Sequence, residues 1–182
     1  SNQIQNLYLQ CVTCNIKYCS SECKKRNVRK HNRECQYIQP LYEKCVAEYS
    51  NIIEPFKALI ALRVAFLGMD EMKIEQLKQL KELEFHIEEH QNKQPKYYNA
   101  STEMGHWIYN LVCNRNSNTS KYNSDTISNI NVSTLIDATF LRNMFFAINI
   151  NGFALGKYGC GLFPGLASMF NHSCNENIAH NF

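Results

Sequence analysis

Six residues with metal-binding side chains crowd into positions 11–35 and constrain this chain more than any other feature. Their spacing reads Cys-x2-Cys-x4-Cys-x3-Cys-x7-His-x3-Cys, and they are Cys11, Cys14, Cys19, Cys23, His31 and Cys35. A Cys-x2-Cys turn presents two thiolates to one metal at about 2.3 Å each, and a His-x3-Cys pair on one helical turn supplies two further ligands. Sulfur and nitrogen ligands in sets of four favour tetrahedral zinc. The spacing therefore predicts a zinc-binding finger.

The cysteine usage of the whole chain agrees better with metal than with disulfides. The chain has nine cysteines, an odd number, and residues 1–10 have neither the basic start nor the apolar stretch of a secretory signal. A reduced, cytoplasmic or nuclear setting is therefore expected. The alternative for any single thiol is a role as a small buried hydrophobe.

Composition excludes little else. The chain has 182 residues and a net charge of +3, which by itself favours neither nucleic acid nor membranes as a partner. It contains no run of roughly 18 apolar residues, so no membrane span is expected.

The finger resembles a known family. The ligand spacing, together with Tyr18-Cys19-Ser20 and Glu34-Cys35, is similar to the MYND finger. That family binds two interleaved zinc ions, and the resemblance implies that one ion is held by Cys11, Cys14, His31 and Cys35. Cys19 and Cys23 would hold half of the second ion, whose other ligands would precede Ser1. The family prefers Trp where this chain has Val28.

The middle of the chain has helical periodicity. One helix is expected from Tyr37 to Ser50, and a second, strongly apolar helix should begin at Pro55 and end at Gly68. Asp70 can cap a third helix. Apolar residues along this third helix recur mostly at threes and fours, at Met72, Leu77, Leu80, Leu83 and Ile87.

Further along, a helix is expected from Thr102 to Val112, followed by an Asn- and Ser-rich surface loop over 114–131. Ser133 can cap another helix, and glycine-separated apolar runs after Asn149 predict strands joined by tight turns. The expected fold is α+β: a finger over residues 1–36, a helical insert over 37–146, and a partial β-core over 147–182.

The C-terminal stretch carries the second informative motif. Asn151-Gly152-Phe153 is followed by Gly161-Leu162-Phe163-Pro164 and then by Ser168-Met-Phe-Asn-His-Ser-Cys-Asn-Glu-Asn177. This order resembles the cofactor-binding heart of SET-domain methyltransferases. A finger, a helical insert and this motif in succession are similar to the combined SET and MYND (SMYD) family. The resemblance implies a protein-lysine methyltransferase that uses S-adenosylmethionine.

The resemblance also implies a set of cofactor-binding residues. Asn171 and His172 would contact the cofactor, with Asn151 and Ser168 nearby. Such residues suit the ligand, because its adenine and its amino-acid tail need directed hydrogen-bond donors and acceptors. The stretch Leu83-Glu84-Phe85-His86 resembles a cofactor-facing segment of the family's insert, in which Glu84 would receive the cofactor's ammonium group or ribose. The alternative for Glu84 and His86 is an exposed helix face.

Other expected parts of such an enzyme are matched only in part, or not at all, by these residues. Cys174 matches a cysteine that joins three later cysteines around a further zinc in the family, and its alternative is a buried thiol. Glu176 stands where the family usually has Pro. The family's Gly-Glu-Glu segment and catalytic Tyr do not occur in the 182 residues, so no catalytic residue is assigned.

Two alternatives come from other functional classes. The first is an adaptor, in which the finger binds proline-rich peptides and the SET remnant is structural. The second is a nucleic-acid binder that acts through the basic residues between the finger's ligands, with contacts to phosphates or to an acidic partner. The simplest interpretation of that basic run is a solvated helix face, and we do not expect it to read nucleic-acid sequence. The expected partner of the enzyme is a protein with a target lysine, such as a histone tail.

Overall fold

The computed structural model describes residues 9–18, 20–68, 73–118, 136–154 and 160–162. The chain divides into two compact units, Ser1–Ser50 and Asn51–Phe182. The described residues are mostly helical, and their strands form two separate two-stranded antiparallel sheets. No described helix combines the length and apolar character needed to cross a bilayer.

The first unit consists of a short hairpin and one long helix. Strands β1 (Leu9–Gln10) and β2 (Lys17–Tyr18) pair with Leu9 opposite Tyr18, and helix α1 runs from Ser21 to Glu48. The Ser20 hydroxyl accepts a hydrogen bond of 3.0 Å from the backbone N–H of Cys23 and so caps the helix. The expected start at Tyr37 is therefore wrong by sixteen residues. The Lys- and Arg-rich run has high helix propensity and continues the helix through the finger.

The second unit contains five helices and a hairpin among its described residues. The helices are α2 (Pro55–Leu67), α3 (Ile74–Lys81), α4 (Ile87–Lys93), α5 (Pro95–Asn118) and α6 (Ala138–Asn151). Strands β3 (Gly152–Ala154) and β4 (Cys160–Leu162) pair antiparallel, with Phe153 opposite Gly161.

The expected bounds of α2 are confirmed, whereas those of the other helices change. The single helix expected beyond Asp70 is wrong, because it divides into α3 and α4 at a connector over residues 82–86. Helix α5 starts at Pro95 and takes in residues 114–118, which were expected to begin a loop. Asp137 caps α6, its carboxylate accepting a 2.7 Å hydrogen bond from the Phe140 N–H. Asp70 and Ser133, the expected caps, lie outside the described residues.

Helix α6 is the centre of the second unit. It packs against α2, α4 and α5, and its side chains are buried around most of its circumference. The buried positions are Phe140, Leu141, Asn143, Met144, Phe145, Phe146, Ala147 and Ile148. A helix that is apolar on nearly all sides has to be enclosed by its neighbours. This core places the C-terminal end of α6, which carries Asn151, beside the α3–α4 connector.

Helices α5 and α6 approach closely at a glycine. A Cβ atom on Gly105 would lie 2.8 Å from both the Ala138 carbonyl oxygen and the Arg142 nitrogen. Nearby, the Tyr97 hydroxyl donates a 3.1 Å hydrogen bond to the Phe145 carbonyl oxygen. The pair is thus held by backbone proximity and by a side-chain hydrogen bond to the neighbouring helix.

The α+β expectation holds at the level of helices with small sheets and a Cys/His cluster. Of the β-core expected over 147–182, the described part comprises the end of α6 and the β3–β4 hairpin. Phe163, Pro164 and the motif from Ser168 to Asn177 lie outside the described residues.

Candidate metal centre

The β1–β2 hairpin presents two thiols from its loop. Within the loop the Cys11 N–H donates to the Ile16 carbonyl at 2.9 Å, and the Asn15 N–H donates to the Cys11 carbonyl at 3.0 Å. Asn15 has a positive φ of 62°, a conformation that asparagine tolerates better than most residues. The tight turn brings Cys11 and Cys14 close together, as the Cys-x2-Cys spacing predicts.

Helix α1 supplies the other two ligand-type side chains. His31 and Cys35 are four residues apart and share one face of the helix. The Tyr18 ring meets the His31 ring edge to face, with centroids 5.7 Å apart and planes at 83°. Tyr18 is buried and restrains the imidazole. From the sequence, Tyr18 was recognised only as a residue typical of the family. Its position directly before Cys19 was the one feature that could have indicated a role beside the metal ligands.

The four side chains converge on one point. The Cys11 and Cys35 sulfurs are 3.6 Å apart, the Cys14 sulfur is 3.7 Å from His31 Nε2, and the four ligand atoms lie within 4.8 Å of one another. Ligand atoms bound to a tetrahedral zinc at 2.0–2.3 Å are separated by roughly 3.5–3.8 Å. Cys11, Cys14, His31 and Cys35 could therefore hold a metal ion such as zinc.

The surroundings of the thiols differ in their effect on ionisation. The backbone N–H of Cys14 and the His31 ring hold the pKa of Cys11 down at about 6. Burial, with hydrogen bonding to Cys11, raises the pKa of Cys35 to about 12, and burial raises the pKa of Cys14. A dication bound at this point would favour the thiolate form of all three.

Of the two remaining finger cysteines, Cys23 is not part of this cluster. Cys23 lies in the first turn of α1, where the Asn27 side-chain amide approaches its sulfur at 3.8 Å. Cys19 lies outside the described residues. The second zinc half-site implied by the MYND resemblance therefore stays a prediction.

Two of the residues expected to bind a cofactor meet in the second unit. The Asn151 side-chain amide donates to the Glu84 main-chain carbonyl at 3.1 Å and to the Ala147 carbonyl at 3.2 Å. Glu84 and Asn151 are 67 positions apart, and this bond joins the α3–α4 connector to the end of α6. Asn171, His172, Ser168 and Cys174 lie outside the described residues.

Glu84 and His86 are exposed, but neither stands on a helix face. Both belong to the connector, and His86 has left-handed backbone angles of φ 44° and ψ 47° at the start of α4. Its Nε2 is 3.7 Å from a Glu84 oxygen, and its Nδ1 is 3.4 Å from a Glu89 oxygen. The connector borders a cleft of about 670 Å³ formed by residues 81–89.

No family model, no curated protein and no solved structure matches this chain.

His90 was not among the candidate site residues predicted from the sequence. This residue is buried, stacks on Phe146 with centroids 4.6 Å apart, and has its Nδ1 3.1 Å from Gln94 Oε1. It lines a second cleft, of about 460 Å³, together with residues of α4 and the end of α6. The available signal was its position four residues after His86, one helical turn further along.

Proposed function

We propose that this chain belongs to a protein-lysine methyltransferase that uses S-adenosylmethionine, and that its first unit is a MYND-type zinc finger. The finger part of the proposal rests on the convergence of Cys11, Cys14, His31 and Cys35, whose ligand atoms lie within 4.8 Å of one another. The enzyme part rests on the motif from Ser168 to Asn177. These two parts have independent tests.

The zinc is proposed to be structural. All four positions of a tetrahedral ion would be taken by protein side chains, which leaves no open position for a substrate or a reactive water. The two-residue strands of the hairpin bury few side chains, so ion binding would supply much of the folding free energy of the finger. Its role would be to hold the hairpin against α1.

The contact between Asn151 and Glu84 supports the proposed cofactor site. Both residues were assigned to that site from sequence resemblance alone, and a 3.1 Å hydrogen bond joins them. The bond fixes the connector that carries the Glu84 carboxylate, which is exposed and able to receive an ammonium group or ribose hydroxyls. Asn171 and His172 would provide further contacts.

The proposed chemistry is transfer of a methyl group to the neutral amine of a substrate lysine. Catalysis in such a site depends mostly on alignment and desolvation of the amine. The residues named here would bind and orient the cofactor. None of them is proposed as the catalytic residue, because the family's catalytic Tyr follows the Asn-His-Ser-Cys motif and no residue of this sequence matches it.

Metal analysis tests the finger. Protein purified without added metal should contain zinc, and chelation should unfold residues 11–35, because zinc contributes on the order of 10 kcal/mol to the folding of small fingers. Protein that carries no zinc and keeps its far-ultraviolet circular dichroism in chelator would contradict the proposal.

Calorimetry with S-adenosylmethionine tests the enzyme. The measurement is made on the full natural protein that contains these 182 residues. Asn171→Ala should weaken binding roughly ten- to hundredfold, because it leaves buried cofactor groups unpaired at a cost of about 1–3 kcal/mol. Asn110→Ala, an exposed change on α5, is the matched control.

Two results would count against the enzyme. If Asn171→Ala binds the cofactor as tightly as the parent, the proposed site is wrong. If the parent binds none, the methyltransferase proposal fails, and binding of a proline-rich peptide through the zinc-loaded finger would then favour the adaptor.

A further inference from the structure

Positive charge is concentrated in the first unit. Residues 1–50 contain eight Lys and Arg against four Asp and Glu, whereas residues 51–182 contain eleven against twelve. Six of the eight cations fall in a ten-residue segment of α1 that has no acidic residue. They are Lys24, Lys25, Arg26, Arg29, Lys30 and Arg33.

Helical geometry gathers five of these cations on one side of α1. Successive residues of a helix turn by about 100°, so residues 25, 29 and 33 form a row, with residues 26 and 30 in a row beside it. We call residues 25, 26, 29, 30 and 33 the basic stripe. All five are exposed. The stripe faces away from His31 and Cys35, so binding of a metal leaves it accessible.

The cations of the stripe differ in their interactions, and Lys30 and Arg33 each have a partner. Arg26 pairs with Glu22 at 3.2 Å, but both side chains are mostly exposed, and such pairs contribute little. No acidic side chain of the described residues lies within ion-pairing distance of Lys25 or Arg29. Residues 25 to 33 span about 12 Å of rigid helix.

We infer that the basic stripe binds the phosphate backbone of double-stranded nucleic acid without reading its sequence. A duplex carries about one phosphate charge per 1.7 Å of axis, so a 12 Å row of cations meets several phosphates. Residues 24–33 include no Phe, Tyr or Trp on which unpaired bases could stack, which favours a duplex over a single strand. The stripe also contains no Trp or Tyr, the aromatic anchors that are common at the centre of protein–protein interfaces.

Fluorescence anisotropy of a labelled 20-base-pair DNA duplex tests this inference on the zinc-loaded chain. With about four phosphate contacts, affinity should fall roughly a hundredfold between 50 and 200 mM salt. Duplexes of different sequence, and a duplex RNA of equal length, should bind equally within about threefold.

Two matched double variants distinguish the contribution of the basic stripe to duplex affinity from the effect of net charge. Lys25→Gln with Arg29→Gln should lose at least tenfold in affinity at 50 mM salt and flatten the salt slope by about 1.8, since each lost contact removes about 0.9. Lys78→Gln with Lys96→Gln, both exposed residues of the second unit, removes the same charge and should leave the affinity within about twofold. Zinc content checks that each variant keeps its finger.

Several outcomes would overturn the inference. These are equal losses in both double variants, no binding by the parent at 50 mM salt, and tight, sequence-selective binding that persists at high salt. Tighter binding of a single strand would exclude the duplex. Competition by polyglutamate as effective, per charge, as competition by DNA would identify an acidic protein as the partner.

Discussion

The four-residue cluster predicts that the finger cysteines are not equivalent in zinc binding. Cys14 belongs to the group whose ligand atoms lie within 4.8 Å of one another, whereas Cys23 does not. Cys14→Ser changes one ligand atom and little volume, so it tests coordination more than packing. Cys23→Ser is the matched control in the same unit.

The expected magnitude follows from the ligand count. Zinc binds small fingers with about 10–16 kcal/mol, and equal sharing among four ligands gives roughly 2.5–4 kcal/mol for each. A serine hydroxyl replaces little of the thiolate's contribution. Cys14→Ser should therefore weaken the tightest site by two to three orders of magnitude, since each 1.4 kcal/mol is tenfold.

Competition against a chromophoric chelator gives the affinity, and cobalt substitution reports tetrahedral geometry at the same site. Cys23→Ser should keep the affinity of the tightest site within about threefold and should keep the tetrahedral cobalt spectrum. Equal losses in the two variants would refute the assignment of Cys11, Cys14, His31 and Cys35 as one complete set.

Three further predictions concern the second unit. Gly105→Ala should destabilise this unit towards urea, because a Cβ atom 2.8 Å from backbone atoms of α6 costs about 1–3 kcal/mol. This cost exceeds the gain of up to about 1 kcal/mol in helix propensity. Equal or greater stability of the variant would contradict the close packing of α5 on α6. Burial raises the pKa of Tyr97 to about 12, so its neutral form stabilises the fold below pH 10. About 2–3 kcal/mol of this stability should be lost between pH 10 and 12, and Tyr97→Phe should flatten that part of the pH profile; an unchanged profile would refute the assignment. Asp137→Ala should cost about 1 kcal/mol in thermal denaturation by removing the cap of α6, and an unchanged melting temperature would contradict this.

Much of the candidate metal site could be predicted from the sequence, because metal ligation depends on short, local spacing. A Cys-x2-Cys turn and a His-x3-Cys helical turn each bring two ligands together without help from the rest of the fold. The same locality explains why the bounds of α2 were predictable, since Pro55 starts a helix and Gly68 follows its last residue. The family resemblance, and not the spacing, implied that the two pairs bind the same ion. In the structure all four side chains lie close together.

The remaining features depend on contacts between residues far apart in the chain. The break at residues 82–86 was hidden because Leu83 and Ile87 continue the helical periodicity, yet α3 ends at Lys81 and the left-handed backbone of His86 precedes the start of α4. The bond between Asn151 and Glu84 spans 67 positions, and the closeness of α5 to α6 at Gly105 reflects the absence of a side chain. Local sequence patterns predict which side chains lie on one face of a helix or strand. Tertiary packing determines which other helix or strand that face contacts. For this reason the sequence alone indicated which side chains of the finger could bind a metal, and the tertiary structure decided which four of them meet, where helices end and which helices touch.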